Sequence, residues 1–185
     1  MLDLTQIDHS WTLFLDRDGV INQEKPGDYV CRWTEFRFYE GVIQAIAYLS
    51  TLFSRIIVAT NQRAVAKGLM SEQDLQGIHA RMVEQIEKGH GRIDKIYYCL
   101  ALGDEDPCRK PNPGMAWQAQ EDFPKLAMDR SLMIGNTLSD MHFGRNAGMH
   151  TVYVKTTNPH VVLPHPAIDL SFANLPAFAY ALGQP

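Results

Sequence analysis

The chain has 185 residues, 45% hydrophobic and 21% charged, the balance of one soluble globular domain rather than a fibre, a disordered tail or a membrane protein. A domain of this size buries roughly 70% of the surface its unfolded chain exposes, so any metal it binds must serve function rather than hold the core. Lys plus Arg number 17 against 21 Asp plus Glu, a net charge of −4; a nonspecific phosphate-gripping protein carries the opposite bias, and no nucleic-acid partner is expected.

The first ten residues, MLDLTQIDHS, lack the layout of a signal peptide. The longest apolar stretch, around residues 41–53, is broken by Gln44, Ser50 and Thr51 and falls short of the ~20 residues a membrane span needs. A cytoplasmic, monomeric protein with no membrane partner is expected, and the odd set Cys31, Cys99 and Cys108 is expected to stay as thiols.

In chain order, short β-rich apolar runs at residues 11–15, 55–59, 96–100, 132–134 and 151–154 read as buried strands. Helical patterns lie between them. One spans residues 41–53. The clearest places Leu75, Ile78, Met82, Val83 and Ile86 on one face, opened by Ser71 with Asp74 three residues on, and closed near Gly89. Others run from Pro113, behind an Asn112 cap, to Phe123, and from Ser139 to Ala147; a short strand and a helix over 175–182 follow. This alternation predicts an α/β fold, a doubly wound, mostly parallel sheet with helices on both faces, formed by a single domain over residues 1–185. Ligands of such folds bind beyond the carboxyl ends of the strands.

Directly after the first run stand Asp16-Arg17-Asp18-Gly19. Two carboxylates facing the same way imply either a divalent cation between them or a nucleophile beside a general acid, and Gly19 allows a sharp turn that brings backbone N–H groups toward an anion. Thr60-Asn61-Gln62 follow the second run; they can orient phosphoryl oxygens, though such a threonine also serves as a plain cap. Arg109-Lys110 are either a pair of cations for phosphate or a solvated surface pair. After the fourth strand, Asn136 offers an amide oxygen and Asp140 a carboxylate to magnesium, or Asp140 simply favours the helix dipole.

Taken in order, FLDRDGVIN, ATNQRAVAKG, IYYC, CRKPNPGM and MIGNTLSDMHFGRNAGM resemble the motifs of the haloacid dehalogenase-like phosphohydrolases over nearly the whole chain, and within them the heptose 1,7-bisphosphate phosphatases and their histidinol-phosphatase relatives. The resemblance implies Asp16 as nucleophile, Asp18 as general acid and base, Thr60 as the phosphate-orienting hydroxyl and Lys110 as the stabilising cation. It implies Mg²⁺, for which Asp16, Asp18, Asn136 and Asp140 are the candidate ligands, and a small sugar phosphate whose distal part Arg109 contacts. Asn61 and Gln62 are candidate phosphate donors, and Lys25, Arg63 and Arg109 either bind a second phosphate together or are solvated surface cations. Three departures stand out. Asn136 occupies a position where the family usually has Asp, which removes a negative charge from the metal site. Only Cys99 and Cys108 remain of the family's zinc loop, with Ala101 and Asp106 near the lost ligand positions, so zinc is not expected. Arg63-Ala64 replace a Ser-Gly pair beside the substrate. The intervals between Asp16, Thr60 and Lys110 are filled by the core's own helices and strands, leaving no room for a cap domain. Histidinol phosphate or another small phosphomonoester is the alternative substrate, and a catalytically impaired sugar-phosphate binder the alternative function.

Overall fold

A computed structural model describes residues 2–183. Six strands form one parallel sheet: β1 (Thr12–Leu15), β2 (Arg55–Asn61), β3 (Lys95–Cys99), β4 (Ser131–Gly135), β5 (His150–Val154) and β6 (Leu170–Phe172), in the order β3-β2-β1-β4-β5-β6. The helices are α1 (Val42–Leu52), α2 (Arg63–Ala66), α3 (Glu72–Lys88), α4 (Gly114–Asp122), α5 (Leu138–Ala147) and α6 (Leu175–Ala181). Strand alternation divides the interior in two. Leu13, Leu15, Ile56, Val58, Leu132 and Ile134 pack with α1, α3 and α6 on one face, whereas Phe14, Ile57, Ala59 and Met133 pack with α4 and α5 on the other. Because both faces are covered, the central strands read as unbroken apolar runs.

The strand order reverses between β1 and β4, whose register runs from Thr12 against Ser131 to Leu15 against Ile134. Chains leaving these neighbours diverge to opposite sides and open a crevice at their carboxyl ends. Asp16 lies at this point and is tied to β4 by its N–H, which donates to the Ile134 carbonyl at 3.0 Å.

Local signals correspond to local structure. Ser71 and Asp74 form a reciprocal capping box at the start of α3. Two expectations need correction. Asn112 does not cap α4; Pro113 occupies the cap position without a side-chain bond, and the Asn112 amide donates instead to the carbonyls of Asp104 and Asp106. On α3, Val83 is only half-buried, and His79 turns inward with Leu75, Ile78, Met82 and Ile86.

Candidate active site

Immediately after β1 the chain folds into a tight loop in which the Arg17 carbonyl accepts from the N–H groups of Val20, Ile21 and Asn22. Gly19 takes φ +86°, and a Cβ there would lie 2.1 Å from the Asn136 amide, so the turn requires glycine on both conformational and steric grounds. Its own N–H donates to the Asn22 carbonyl at 2.7 Å.

This loop, the end of β2, the Arg109-Lys110 segment and the start of α5 line a cleft of about 300 Å³. Asp16, Asp18, Thr60, Asn61, Gln62, Lys25, Arg109, Lys110 and Asp140 all border it. Lys110 lies at the centre, almost fully buried, with Nζ 2.9 Å from Asp16 Oδ1 and 2.5 Å from Asp140 Oδ1, and donating to the Ala59 carbonyl at 2.8 Å. Burial disfavours its charge, but Asp140 and Asp16 more than offset this and raise its pKa, so it stays an ammonium. Asp16 is pushed up to about 7 by burial, against the pull of Lys110 and with the further push of Asp140 and Asp18. Asp140 commits one oxygen to Lys110 and the other to the Thr137 N–H and hydroxyl, a capping box that starts α5. It therefore caps the helix, as one of its two readings proposed, and anchors the lysine as well.

Asp18 is held on several sides. Arg17 and Asn22 donate to its Oδ1 at 2.9 Å each, and Gln62 donates to Oδ2 at 2.8 Å. Burial alone would raise its pKa, but the Arg17 guanidinium and these hydrogen bonds outweigh that and hold it below the usual carboxylate range. Gln62 also donates to Thr60 Oγ1 at 3.0 Å, while Asn61 exchanges hydrogen bonds with the Lys110 backbone at 3.1 Å in each direction. The two amides read from sequence as substrate contacts are thus bonded to Asp18, Thr60 and the Lys110 backbone.

The outer residues behave differently. Arg109 is buried on the cleft wall, its Nε 2.8 Å from Asp104 Oδ1 and its Nη1 bonded to the Ala101 carbonyl. Arg63 does not border the cleft; it pairs with the same Asp104 at 3.1 Å. Lys25 reaches the rim, paired with Asp28 at 2.8 Å and Glu35 at 3.4 Å. The aromatics after the first motif form a packed cluster, with Trp33 stacked on Phe36 at 5.0 Å, and join the main core.

Four contributors escaped the sequence reading. Arg17, 1% exposed, lies between Asp18 and His79, whose Nε2 is 3.1 Å from Arg17 Nη1; burial, then the arginine's charge, lower the His79 pKa to about 3, so it is neutral. Asn22 braces Asp18. Glu24 lines the cleft and accepts from Asn136 Nδ2 at 3.3 Å. The DRD spelling placed Arg17 beside the two acids and Asn22 closes the FLDRDGVIN run, but nothing local assigns a role to His79 or Glu24.

The donor chemistry suits a hard divalent cation. Five acids, Asp16, Asp18, Glu24, Asp28 and Asp140, line the cleft against four cations, Arg17, Lys25, Arg109 and Lys110, leaving a small excess of negative charge. Asn136 Oδ1 is buried and has no hydrogen-bond partner among the described residues. Oxygen-rich, net-negative surroundings of this kind fit Mg²⁺. Cys99, Cys108 and Asp106 lie together, with donor atoms within 4.8 Å of one another. That set offers three of the four ligands of a closed structural zinc site.

Comparison with known proteins agrees with the geometry. The HAD-hydrolase-like family model matches residues 107–166. The chain is 34% identical over 177 residues to a D-glycero-alpha-D-manno-heptose-1,7-bisphosphate 7-phosphatase of Mycobacterium bovis, covering 95% of this chain and 93% of the relative. It is 39% identical over 140 residues to the corresponding Campylobacter jejuni enzyme, covering 76% and 79%. The crystal structure of D,D-heptose 1,7-bisphosphate phosphatase from B. bronchiseptica, complexed with magnesium and phosphate, superposes with a TM-score of 0.82 at 28% identity, covering 93% of this chain and 97% of that one. With these relatives spanning the sheet and the cleft alike, the chain belongs to the haloacid dehalogenase-like phosphohydrolases, in the branch of the heptose-bisphosphate phosphatases, and is a phosphoric monoester hydrolase.

Proposed function

We propose that the enzyme hydrolyses the 7-phosphate of D-glycero-D-manno-heptose 1,7-bisphosphate in a Mg²⁺-dependent reaction through an aspartyl-phosphate on Asp16. The observation that carries this is the convergence of Asp16, Asp18, Thr60 and Lys110 on one cleft; the substrate follows from what the relatives are named for. Asp16, Asp18 and Asn136 are the residues that would hold the metal, which when bound supplies positive charge toward the transferring phosphoryl oxygens.

Asp16 attacks phosphorus in line, with its Oδ1 directed by the Lys110 ammonium 2.9 Å away. Lys110 and the Thr60 hydroxyl then face the charge that develops on the phosphoryl oxygens. Asp18, ionised in the free site, gains a proton as the phosphoryl anion raises its pKa, and delivers it to the leaving sugar oxygen. It then takes a proton from the water that attacks the acyl phosphate. The Arg17, Asn22 and Gln62 donors keep the Asp18 carboxyl aimed through both halves.

For the distal phosphate, a second groove of about 720 Å³ adjoins the cleft, shares Glu24, Lys25, Asp28 and Tyr29 with it and extends to Thr157. Space beyond the reaction centre favours a long bisphosphorylated sugar over a compact monoester, with Lys25 as the cation on the groove wall. Phosphate release from heptose 1,7-bisphosphate, with histidinol phosphate alongside and Asp16→Asn as the blank, tests the reading. A kcat/KM for the heptose at least tenfold above histidinol phosphate is expected; equal values overturn the substrate assignment, and no release above the blank overturns the activity.

A further inference from the structure

Arg17 stands between the two reacting carboxylates in the chain and is almost wholly buried. Its Nη2 lies 2.9 Å from both carboxylate oxygens of Asp18. A guanidinium donates hydrogen bonds and accepts none, so its other nitrogens must find acceptors inside the protein. Nε has no partner among the described residues, and Nη1 meets His79 Nε2 at 3.1 Å. Because the arginine can only donate, His79 Nε2 accepts, and the ring is the neutral tautomer with its proton on Nδ1. His79 does not border the cleft. It sits on the buried face of α3 with Leu75, Ile78, Met82 and Ile86, and the Tyr98 ring lies against it with centroids 5.6 Å apart. The contact thus ties a core helix to the catalytic loop across 62 residues. With an acceptor on Nη1, the planar fork is fixed in the orientation that presents Nη2 to Asp18; without it, Nη1 is left buried and unsatisfied, and the fork swings toward other acceptors.

We propose that His79 is a positioning residue for the acid step: it fixes the Arg17 fork and, through it, the Asp18 carboxyl that gives its proton to the leaving oxygen. The inference rests on the acid and base role given to Asp18 above and extends it to a residue that touches no substrate. A misaimed general acid costs most where the leaving group needs its proton. A sugar alkoxide needs it, whereas a nitrophenolate leaves without it. The parameter kcat/KM covers only the steps up to the aspartyl-phosphate, so it isolates this half of the reaction.

The test is kcat/KM on a series of aryl phosphates from p-nitrophenyl to unsubstituted phenyl phosphate, with heptose 1,7-bisphosphate as the substrate of poorest leaving group. The proteins are the unaltered enzyme, His79→Leu, His79→Gln and Asp18→Asn. In His79→Leu the expected loss is about tenfold or more on the sugar phosphate and within about twofold on p-nitrophenyl phosphate, so the dependence on leaving group steepens. His79→Gln, which keeps an acceptor for Arg17, is expected to restore the shallower dependence. A smaller folded fraction lowers every substrate by the same factor and leaves the ratio unchanged. Equal losses across the series in His79→Leu make His79 a plain core residue and overturn the inference, as does no loss at all. Failure of His79→Gln to restore the dependence overturns it as well. If Asp18→Asn does not itself steepen the dependence, the acid role of Asp18 proposed above falls, and the inference with it.

Discussion

The floor and the rim of the cleft are built on different principles. On the floor, Asp16, Asp18, Lys110 and Asp140 are buried or nearly so, and each has at least two polar partners fixed by strand ends and the start of α5. Farther out, Lys25 and Arg109 at the cleft's edge and Arg63 outside it are held by loop acids, and Asp104, which serves both arginines, is 75% exposed. A charge in a low-dielectric floor costs several kcal/mol if its partner is removed, whereas an exposed pair is worth about 0–1 kcal/mol. The floor therefore tolerates only the groups its chemistry needs, while the rim is free to change substrate.

That difference sets an order of effects. Asp16→Asn removes the nucleophile and is expected to abolish turnover, a loss of at least about 10³-fold in kcat, with labelled phosphate no longer trapped on the protein; retained labelling would move the nucleophile elsewhere. Lys110→Met leaves two buried carboxylates without their cation. A loss of about 10²–10³-fold in kcat should accompany a drop of about 3–5 kcal/mol in unfolding free energy, read from denaturant titration. An intact stability would mean the floor is wetter than its burial indicates.

Beneath the floor, His79 predicts a pH effect. Its folded pKa, about 3, lies below the ordinary value of 6.5, so the unfolded chain binds the extra proton and stability falls as pH drops through the window from 6.5 toward 3. At pH 5 the loss amounts to about 2 kcal/mol. His79→Gln, which keeps an acceptor for Arg17, should flatten this difference between pH 7 and pH 5 in paired melts; an unaltered slope would assign the acid sensitivity to other groups.

The rim predictions are smaller. Arg109→Ala is expected to cost about tenfold in kcat/KM on heptose bisphosphate, the scale of one charge-assisted hydrogen bond, and much less on a small aryl phosphate. Equal losses would place Arg109 in the general machinery rather than in specificity. Arg63→Ala, which breaks only an exposed pair, should change stability by less than about 1 kcal/mol and leave aryl phosphate turnover within about twofold, as measured in the same assay.

The patterns that span a few residues were legible before the structure. Strand-length apolar runs, the Ser71 and Asp74 cap and the DxDG turn are each written within one short segment, because backbone preference and side-chain periodicity act locally. Motif order then placed Asp16, Asp18, Thr60 and Lys110 at successive strand ends and loops, and the doubly wound topology brings those ends together. The cap of α4 was misread because Asn112 had an equally good use for its amide in the preceding loop.

The amino-acid sequence by itself determined the α/β class, with a mostly parallel sheet and helices on both faces, and which polar residues stand at the strand ends, since those depend on hydrophobic period and on residues adjacent in the chain. Tertiary structure alone decided which groups support them. Arg17 meets His79 across 62 residues and Glu24 meets Asn136 across 112, and no local pattern encodes such encounters. A buried polar group needs a partner wherever the fold can bring one, so the supporting shell of this site became visible only when strand order and loop path were in place.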